Sequence, residues 1–465
     1  MSIIQDFFYP KVPVLIQNLM ISAYGFCWQK RRFGGIFNHA FEGFKTREVY
    51  SLNQWQQYQT VELRKMLVHA FETVPHYNYL YKKHGYKRTD FENFELEGLS
   101  KLPALEKNDL RKYGTSLLLS TKREKKGQFF SSSGSTGTPT SILFSNNMHQ
   151  RWSAAFEARI RNWANLTRFD SRGMIGGRRV VPDGESEGPF YRYNFFEKQI
   201  YFSAYHISPR TAQDYAYALR NFKPDYMTGY AVSNYLLARI FYEKGIEVPA
   251  LKAVITSSEK LTREMRQLFK NVYGCKTYDS YSGVEACGLI SENEHGQLLV
   301  SPDVGIMEIL REDGSACQPG ETGEVFSTGF LNYDQPLIRY RIGDNIKIAT
   351  DQHTLCGRNM LVIDEIIGRT EDVVTGPDGR KMVRFHGIFI NLPDVIEGQI
   401  IQHTLKDYEI KVVCSNPLSE VEKKAIIERM TSQIGPADFR INQVQQIPRT
   451  NNGKFKAVIS HLPQQ

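Results

Sequence analysis

The chain has 465 residues, of which 41% are hydrophobic, 12% aromatic and 23% charged. At about 150 residues per domain this is room for two or three folded domains, which excludes a small disulfide-stapled module and a mainly disordered chain. The formal net charge of +8 is too dilute for a dedicated nucleic-acid binder, so no nucleic-acid partner is expected.

The six cysteines, Cys27, Cys275, Cys287, Cys317, Cys356 and Cys414, are scattered and form no CxxC pair, which points to reduced thiols and a cytoplasmic protein. Asp6 and Pro10 stand where the basic start of an export signal belongs, so no secretion is expected.

In chain order, residues 1–125 read as a largely helical lead-in. Val12 to Trp28 is the most apolar early stretch, but it contains Pro13, Gln17, Asn18 and Gly25 and falls short of the roughly 20 apolar residues of a membrane span. It reads as a helix packed on the protein's own core. Lys30, Arg31 and Arg32 directly after it keep open an interfacial helix, and with it peripheral contact at the inner face of a membrane. The clusters Gln29–Arg32 and Thr121–Lys126 read as solvated surface turns, or as contacts for a membrane surface or an anionic substrate. Leu52 to Val74 places Leu63, Met66, Leu67, Ala70 and Phe71 at helical spacing and stops before Pro75.

From about Phe129, strands such as Lys252–Ser257, Lys276–Tyr281, Gly305–Leu310 and Gly323–Thr328 alternate with helices and Gly/Ser turns, so the middle of the chain is α/β. A turn-rich stretch around residues 368–379 separates it from a tail of strand (Tyr408–Cys414), helix (Ser419–Ile434) and strand (Arg440–Gln445). The expected division is a body over 1–369 and a small α+β domain over 370–465.

Between Ser131 and Thr140 lie Ser132, Ser133, Gly134, Ser135, Thr136, Gly137, Thr138 and Pro139. Hydroxyls and glycines this dense let backbone amides close on phosphate oxygens, since glycine has no Cβ to block the approach. The spacing is neither a Walker A loop nor a GxGxxG turn, and a flexible linker is the other reading of this segment alone.

Four further segments follow in order: Tyr281-Ser282-Gly283-Val284-Glu285, Tyr340-Arg341-Ile342-Gly343-Asp344, Gly368-Arg369-Thr370-Glu371-Asp372 and Gly453-Lys454. Their order and spacing resemble the adenylate-forming (acyl-activating) enzyme superfamily over most of the chain. His69–Pro75, Phe222–Tyr226, Ser258-Glu259-Lys260-Leu261 and Pro336–Arg341 resemble its phenylacetate-CoA ligase and capsular-polysaccharide CapK-like branch.

The resemblance implies an ATP-dependent ligase that joins a carboxylate to AMP and passes the acyl group to an amine, hydroxyl or thiol acceptor. An amino sugar, a sugar nucleotide or a lipid-linked sugar would suit a role in surface-polysaccharide synthesis. It implies that residues 132–138 hold the β- and γ-phosphates, that Tyr281 lies on or beside adenine and that Glu285 helps hold Mg²⁺. Asp344 would take the ribose hydroxyls, Arg369 ribose or phosphate, and Lys454 would bridge the attacking carboxylate and the α-phosphate. The small domain would turn about Glu371. The acid would lie between adenine and the segments around Tyr205-His206, Gly229–Ala231 and Ser257–Glu259. His206 reads as a gate or proton acceptor, or as a structural histidine.

Departures from the family pattern narrow this. Thr138 stands where many relatives have lysine, and Val284 replaces a threonine, so ATP is expected to be held more weakly or differently. Thr354 and Leu299 stand where relatives carry a second cysteine and a histidine, so Cys356 alone predicts no structural zinc. Residues 373–380 look more CapK-like than CoA-ligase-like. A CoA ligase is therefore the nearest alternative, an enzyme adenylylating a hydroxyl of a cofactor the next, and a non-catalytic scaffold of the same fold the alternative of another class.

Overall fold

A computed structural model describes residues 8–131, 140–182, 185, 187–369, 374–377, 381–382, 386–389, 392, 394–449 and 455–462, with backbone alone for Arg369, Lys381, Met382, His386 and Gly387. Two compact units emerge: Met1–Ile342 with Ile346–Ile366, and Gly343–Asn345 with Ile367–Gln465.

In the first unit, helices α1 (Val14–Phe33), α2 (Phe37–Arg47), α3 (Leu52–Thr73), α4 (Pro75–Lys83), α5 (Arg88–Glu92) and α6 (Lys107–Tyr113) precede the sheets. Ser51 caps α3 in a reciprocal box with Gln54, and Leu63, Met66, Leu67 and Ala70 bury one face. Extended Val74 before Pro75 ends the helix, as the sequence requires. Lys30, Arg31 and Arg32 are the last turn of α1, not the solvated turn expected: Arg31 donates to Phe144 O and Asn146 Oδ1, and Arg32 pairs with buried Glu197. Thr121–Lys126 is a largely exposed turn segment.

Strands β1 (Gly127–Ser131) and β2 (Ser141–Ser145) form a separate hairpin, followed by α7 (Asn146–Phe156). The main sheet is built from β3 (Arg172–Gly176), β4 (Tyr191–Asn194), β5 (Gln199–Ser203), β6 (Tyr226–Tyr230), β7 (Ala253–Ser257), β8 (Lys276–Tyr281), β9 (Ile290–Glu292), β10 (Leu298–Val300), β11 (Gly305–Leu310), β12 (Thr322–Gly329), β13 (Tyr340–Ile348) and β14 (Val362–Arg369). Its order is β11-β12-β13-β14-β10-β9-β8-β7-β6-β3-β5-β4, and β8, β7, β6, β3 and β5 run parallel.

Helices α8 (Ala212–Phe222), α9 (Ala231–Glu243) and α10 (Arg263–Tyr273) cross over between the parallel strands. Alternate strand residues serve different cores. Met227 and Val254 join the core under these helices, whereas Tyr226, Ala253 and Ile255 face the core that α3 and α7 help form.

The second unit holds β15 (Val374–Thr375), β16 (Lys381–Met382), α11 (His386–Phe389), β17 (Val395–Gln402), β18 (Asp407–Cys414), α12 (Glu420–Ile434), β19 (Asp438–Gln443) and β20 (Val458–Ser460). Its four-stranded sheet runs β19-β18-β17-β20, with Ile426, Met430 and Ile434 of α12 buried at intervals of four. Gln402 ties β15 to this sheet, accepting from Thr375 N (3.1 Å) and donating to Thr375 O (2.6 Å).

Candidate active site

Because β5, β3, β6, β7 and β8 are parallel, their C-terminal ends share one edge, where an open α/β sheet offers a ligand crevice. The chain leaves that edge at Gly177 after β3, Tyr205 and His206 after β5, Tyr230 at the end of β6, Ser258 and Glu259 after β7, and Tyr281 at the end of β8.

Ser258 turns the chain with φ of +69°, a left-handed conformation costly for a non-glycine residue. Glu259 Oε2 then accepts the Val232 amide at 2.8 Å, placing a carboxylate at the first turn of α9, where the helix dipole favours negative charge. Burial, with Glu259 and Tyr205 nearby, pushes the Tyr230 phenol up to about 12, so it stays protonated. His206 Nδ1 lies 2.7 Å from Ser203 Oγ and its ring stacks on Phe190, so one of its two nitrogens is engaged in local structure.

After Tyr281 the chain makes a tight turn that brings Glu285 back past Gly283. A Cβ on Gly283 would meet the Glu285 carboxylate, so a larger residue there displaces that side chain. Glu285 lies in this turn. Thr140 Oγ1 donates to Glu285 Oε1 at 3.4 Å. In the hairpin Ser131 pairs with Ser141, which makes 132–140 its connection. The exit of the Ser/Thr/Gly segment therefore meets the Glu285 carboxylate at the sheet edge.

Residues 132–138, Glu371 and Lys454 lie outside the described residues, and Arg369 is described by its backbone at the end of β14. Asp344 lies within strand β13, next to Gly343 with φ of +84°. It groups with the second unit. Arg341 of the same segment makes a two-point bond to Glu324, 2.8 Å to each oxygen.

The C-terminal residues 374–461 match the CapK C-terminal domain family. The chain is 26% identical to Protein CapK of Staphylococcus aureus, over 98% of this chain and 99% of that protein. It is 24% identical to the phenylacetate-coenzyme A ligase of Escherichia coli (strain K12), over 78% of this chain and 80% of that protein. The crystal structure of 2-hydroxyisobutyryl-CoA ligase in its postadenylation state, in complex with R3-HIB-AMP, matches with a TM-score of 0.70 at 17% identity, covering 89% of this chain and 91% of that one. These likenesses fit the adenylate-forming superfamily of ATP-dependent, AMP-forming ligases, in its phenylacetate-CoA ligase and CapK-like branch.

In this adenylate-forming fold two residues that sequence motifs did not reveal hold the hairpin in place. Fully buried Gln335 accepts from Leu143 N (2.6 Å) and donates to Ser141 O (3.1 Å) and Gly114 O (2.9 Å). Asn332 donates to Leu143 O at 3.1 Å. The only sequence signal was two amides just ahead of the Pro336–Arg341 segment.

Leu299 is buried with Trp55, Trp163, Met360 and Val362, and Asn293 Nδ2 donates to Cys356 Sγ at 3.3 Å. Among the described residues no group of three or more His, Cys, Asp or Glu could hold a metal ion.

Proposed function

We propose that the chain activates a carboxylic acid as an acyl-adenylate and passes the acyl group to an acceptor in surface-polysaccharide synthesis. The contact between Thr140 and Glu285 carries this reading, because it joins the hydroxyl- and glycine-rich loop to a carboxylate at the C-terminal edge of the parallel strands. In the first step a carboxylate oxygen attacks the α-phosphorus of ATP and pyrophosphate leaves. In the second the acceptor attacks the acyl carbon and AMP leaves. Both steps crowd negative charge, so stabilisation is mostly positioning and electrostatics.

Residues 132–138 would cradle the β- and γ-phosphates, Tyr281 would flank adenine, Asp344 would bind ribose and Arg369 ribose or phosphate. Lys454 would join the acid to the α-phosphate. His206 would face the acid. The carboxylate of Glu285 and the hydroxyl of Thr140 are hard oxygen donors that fit Mg²⁺, which commonly takes one or two carboxylates and completes its shell with phosphate and water. When bound, Mg²⁺ would neutralise phosphate charge.

Support for an acceptor other than CoA comes from the tail, which matches the CapK C-terminal domain, and from the near full-length likeness to Protein CapK. The likeness to phenylacetate-coenzyme A ligases supports a thioester as the second reading. ATP–pyrophosphate exchange over aromatic, fatty, amino and sugar acids tests the first step. CoA thioester formation beside CoA-free hydroxamate trapping separates the acceptors. Lys454→Ala is expected to stop carboxylate-dependent exchange and to spare transfer from a supplied acyl-adenylate; equal loss of both removes Lys454 from this role.

No helix among the described residues is long and apolar enough to cross a membrane. Peripheral contact is supported by α1, which leaves Leu15, Ile16, Leu19 and Phe26 exposed, with Phe195 and Phe196 beside Leu19 and Phe26. Lys11 just before it and Lys30 in its last turn are exposed, and residues 8–41 carry no acidic residue, which suits an anionic lipid surface. Sedimentation with vesicles of anionic phospholipid is expected to pull down the wild-type chain and not Leu19→Glu/Phe26→Glu; equal recovery of both excludes this surface.

A further inference from the structure

A cavity of about 260 Å³ opens between α1, α7 and the sheet face that carries Tyr226, Thr228 and Ile255. Thr228 and Ile255 lie two residues before Tyr230 and Ser257, so the cavity begins about 7 Å along the strands from the C-terminal edge. If the edge is where an acid meets ATP, the cavity is where the rest of that acid extends; this placement rests on the proposed adenylation.

The lining is unlike an ordinary apolar pocket. Four arginines face the cavity, Arg32, Arg161, Arg172 and Arg178, and among the described residues no carboxylate lines it. Two carboxylates stand behind them. Arg32 and Arg172 both bond Glu197 Oε1, whose other oxygen accepts from Asn194 Nδ2 at 3.0 Å. Arg161 bonds Glu157 Oε2 at 2.8 Å, while Glu157 Oε1 is taken by the Arg168 amide at 2.7 Å.

Among the described residues, four guanidiniums against two carboxylates leave two positive charges over. Arg178, exposed just beyond β3, bonds the Tyr201 hydroxyl at 3.3 Å and lies over the Tyr24 and Tyr201 rings, with no carboxylate partner among the described residues. Arg32 Nε is buried without a hydrogen-bond partner, and burial lowers its guanidinium to about 10 despite Glu197. His149 on the same wall accepts from Arg31 at Nδ1, and burial beside Arg32 and Arg31 lowers it to about 3, so its neutral ring keeps a proton on Nε2 as a further donor. Arg32 and Arg172 thus share a single carboxylate in a desolvated wall, a partly compensated arrangement that is costly, and an anion entering the cavity relieves that cost.

We propose that this cavity receives a second anionic group of the acyl substrate, so that the acid taken is a dianion, with a carboxylate or phosphate besides the carboxylate to be activated. Arg178 at the mouth selects that group, and Arg32, Arg161 and Arg172 supply the field inside.

The test uses the full chain and four matched pairs: succinate with succinamate, glutarate with glutaramate, phthalate with phthalamate, and 3-phosphoglycerate with glycerate. Calorimetric binding without nucleotide is expected to favour the dianion of at least one pair by about tenfold or more. Arg178→Gln is expected to bring that pair to parity, and Arg178→Lys to restore much of the preference. Arg178 is exposed, so these variants keep the fold. No preference in any pair, or a preference untouched by Arg178→Gln, overturns the proposal. ATP–pyrophosphate exchange with the same acids separates the two readings. Dianion binding without exchange leaves the cavity standing and counts against adenylation, whereas exchange with monoanions alone and no dianion binding does the reverse.

Discussion

Thr140 and Glu285, 145 positions apart, meet at 3.4 Å, and the contact joins the exit of the hairpin connection to the turn after β8. If that turn presents a carboxylate to bound nucleotide, charge at Glu285 matters far more than the hydroxyl that touches it. Glu285→Gln keeps shape and hydrogen bonding and removes the charge. It is expected to lower kcat/KM for ATP–pyrophosphate exchange on the order of 100-fold, about 2.7 kcal/mol of transition-state stabilisation. Thr140→Val is expected to cost only a few-fold. Similar losses for both would assign Glu285 a packing role.

Two glycines of the same edge separate site from scaffold. A Cβ at Gly283 meets the Glu285 carboxylate, whereas a Cβ at Gly229, where φ is +125°, meets the Ile175 carbonyl of the neighbouring strand. The Glu285 side chain can shift; the strand backbone has no such freedom. Gly283→Ala is therefore expected to depress exchange with a thermal midpoint close to wild type. Gly229→Ala is expected to destabilise the sheet by about 3 kcal/mol or more in urea unfolding.

Much of this frame was legible in the sequence because it is written locally. Lys276–Tyr281 and Gly305–Leu310 have the same bounds as strands in sequence and structure, and Ser419 caps α12 with Glu422 as a local signal should. The Ser/Thr/Gly segment was expected after a strand, and β1 ends at Ser131. What stayed hidden depends on partners far along the chain. Lys30–Arg32 looked like a solvated turn because nothing nearby announces Glu197, 165 positions away. The cavity needs arginines from α1, the segment after α7 and both ends of β3, which only the sheet topology collects. Gln335 gave no sign that its amide would organise β2.

That amide makes a sharp stability test. Gln335→Leu keeps volume but leaves the buried Leu143 amide and the Ser141 and Gly114 carbonyls without this partner. Each orphaned group costs about 1–3 kcal/mol. Urea unfolding is expected to show a loss of about 3 kcal/mol, with exchange activity falling as β2 loses its clamp. Gln335→Glu, which retains an acceptor for Leu143 N but faces two carbonyls with a charge, should be no better. A neutral outcome for Gln335→Leu would mean that water replaces the amide.

Asp279, two residues before Tyr281, gives the fold a pH dependence with a definite sign. Burial pushes its carboxyl up to about 7, outweighing Arg266, while Thr256 Oγ1 and the Ser280 amide donate to it. Between about pH 4, the ordinary carboxylate value, and pH 7 the native chain holds this proton more tightly than the unfolded chain. Its contribution to stability is thus present in acid, declines as pH rises through that window and is level above it. Asp279→Asn fixes a neutral side chain with the same acceptor oxygen. From pH 5 to 7.5 the wild-type chain is expected to lose stability relative to Asp279→Asn, by on the order of 2 kcal/mol in matched urea titrations. Parallel curves for the two proteins would show that Asp279 is already ionised at pH 5, and that Arg266 outweighs burial.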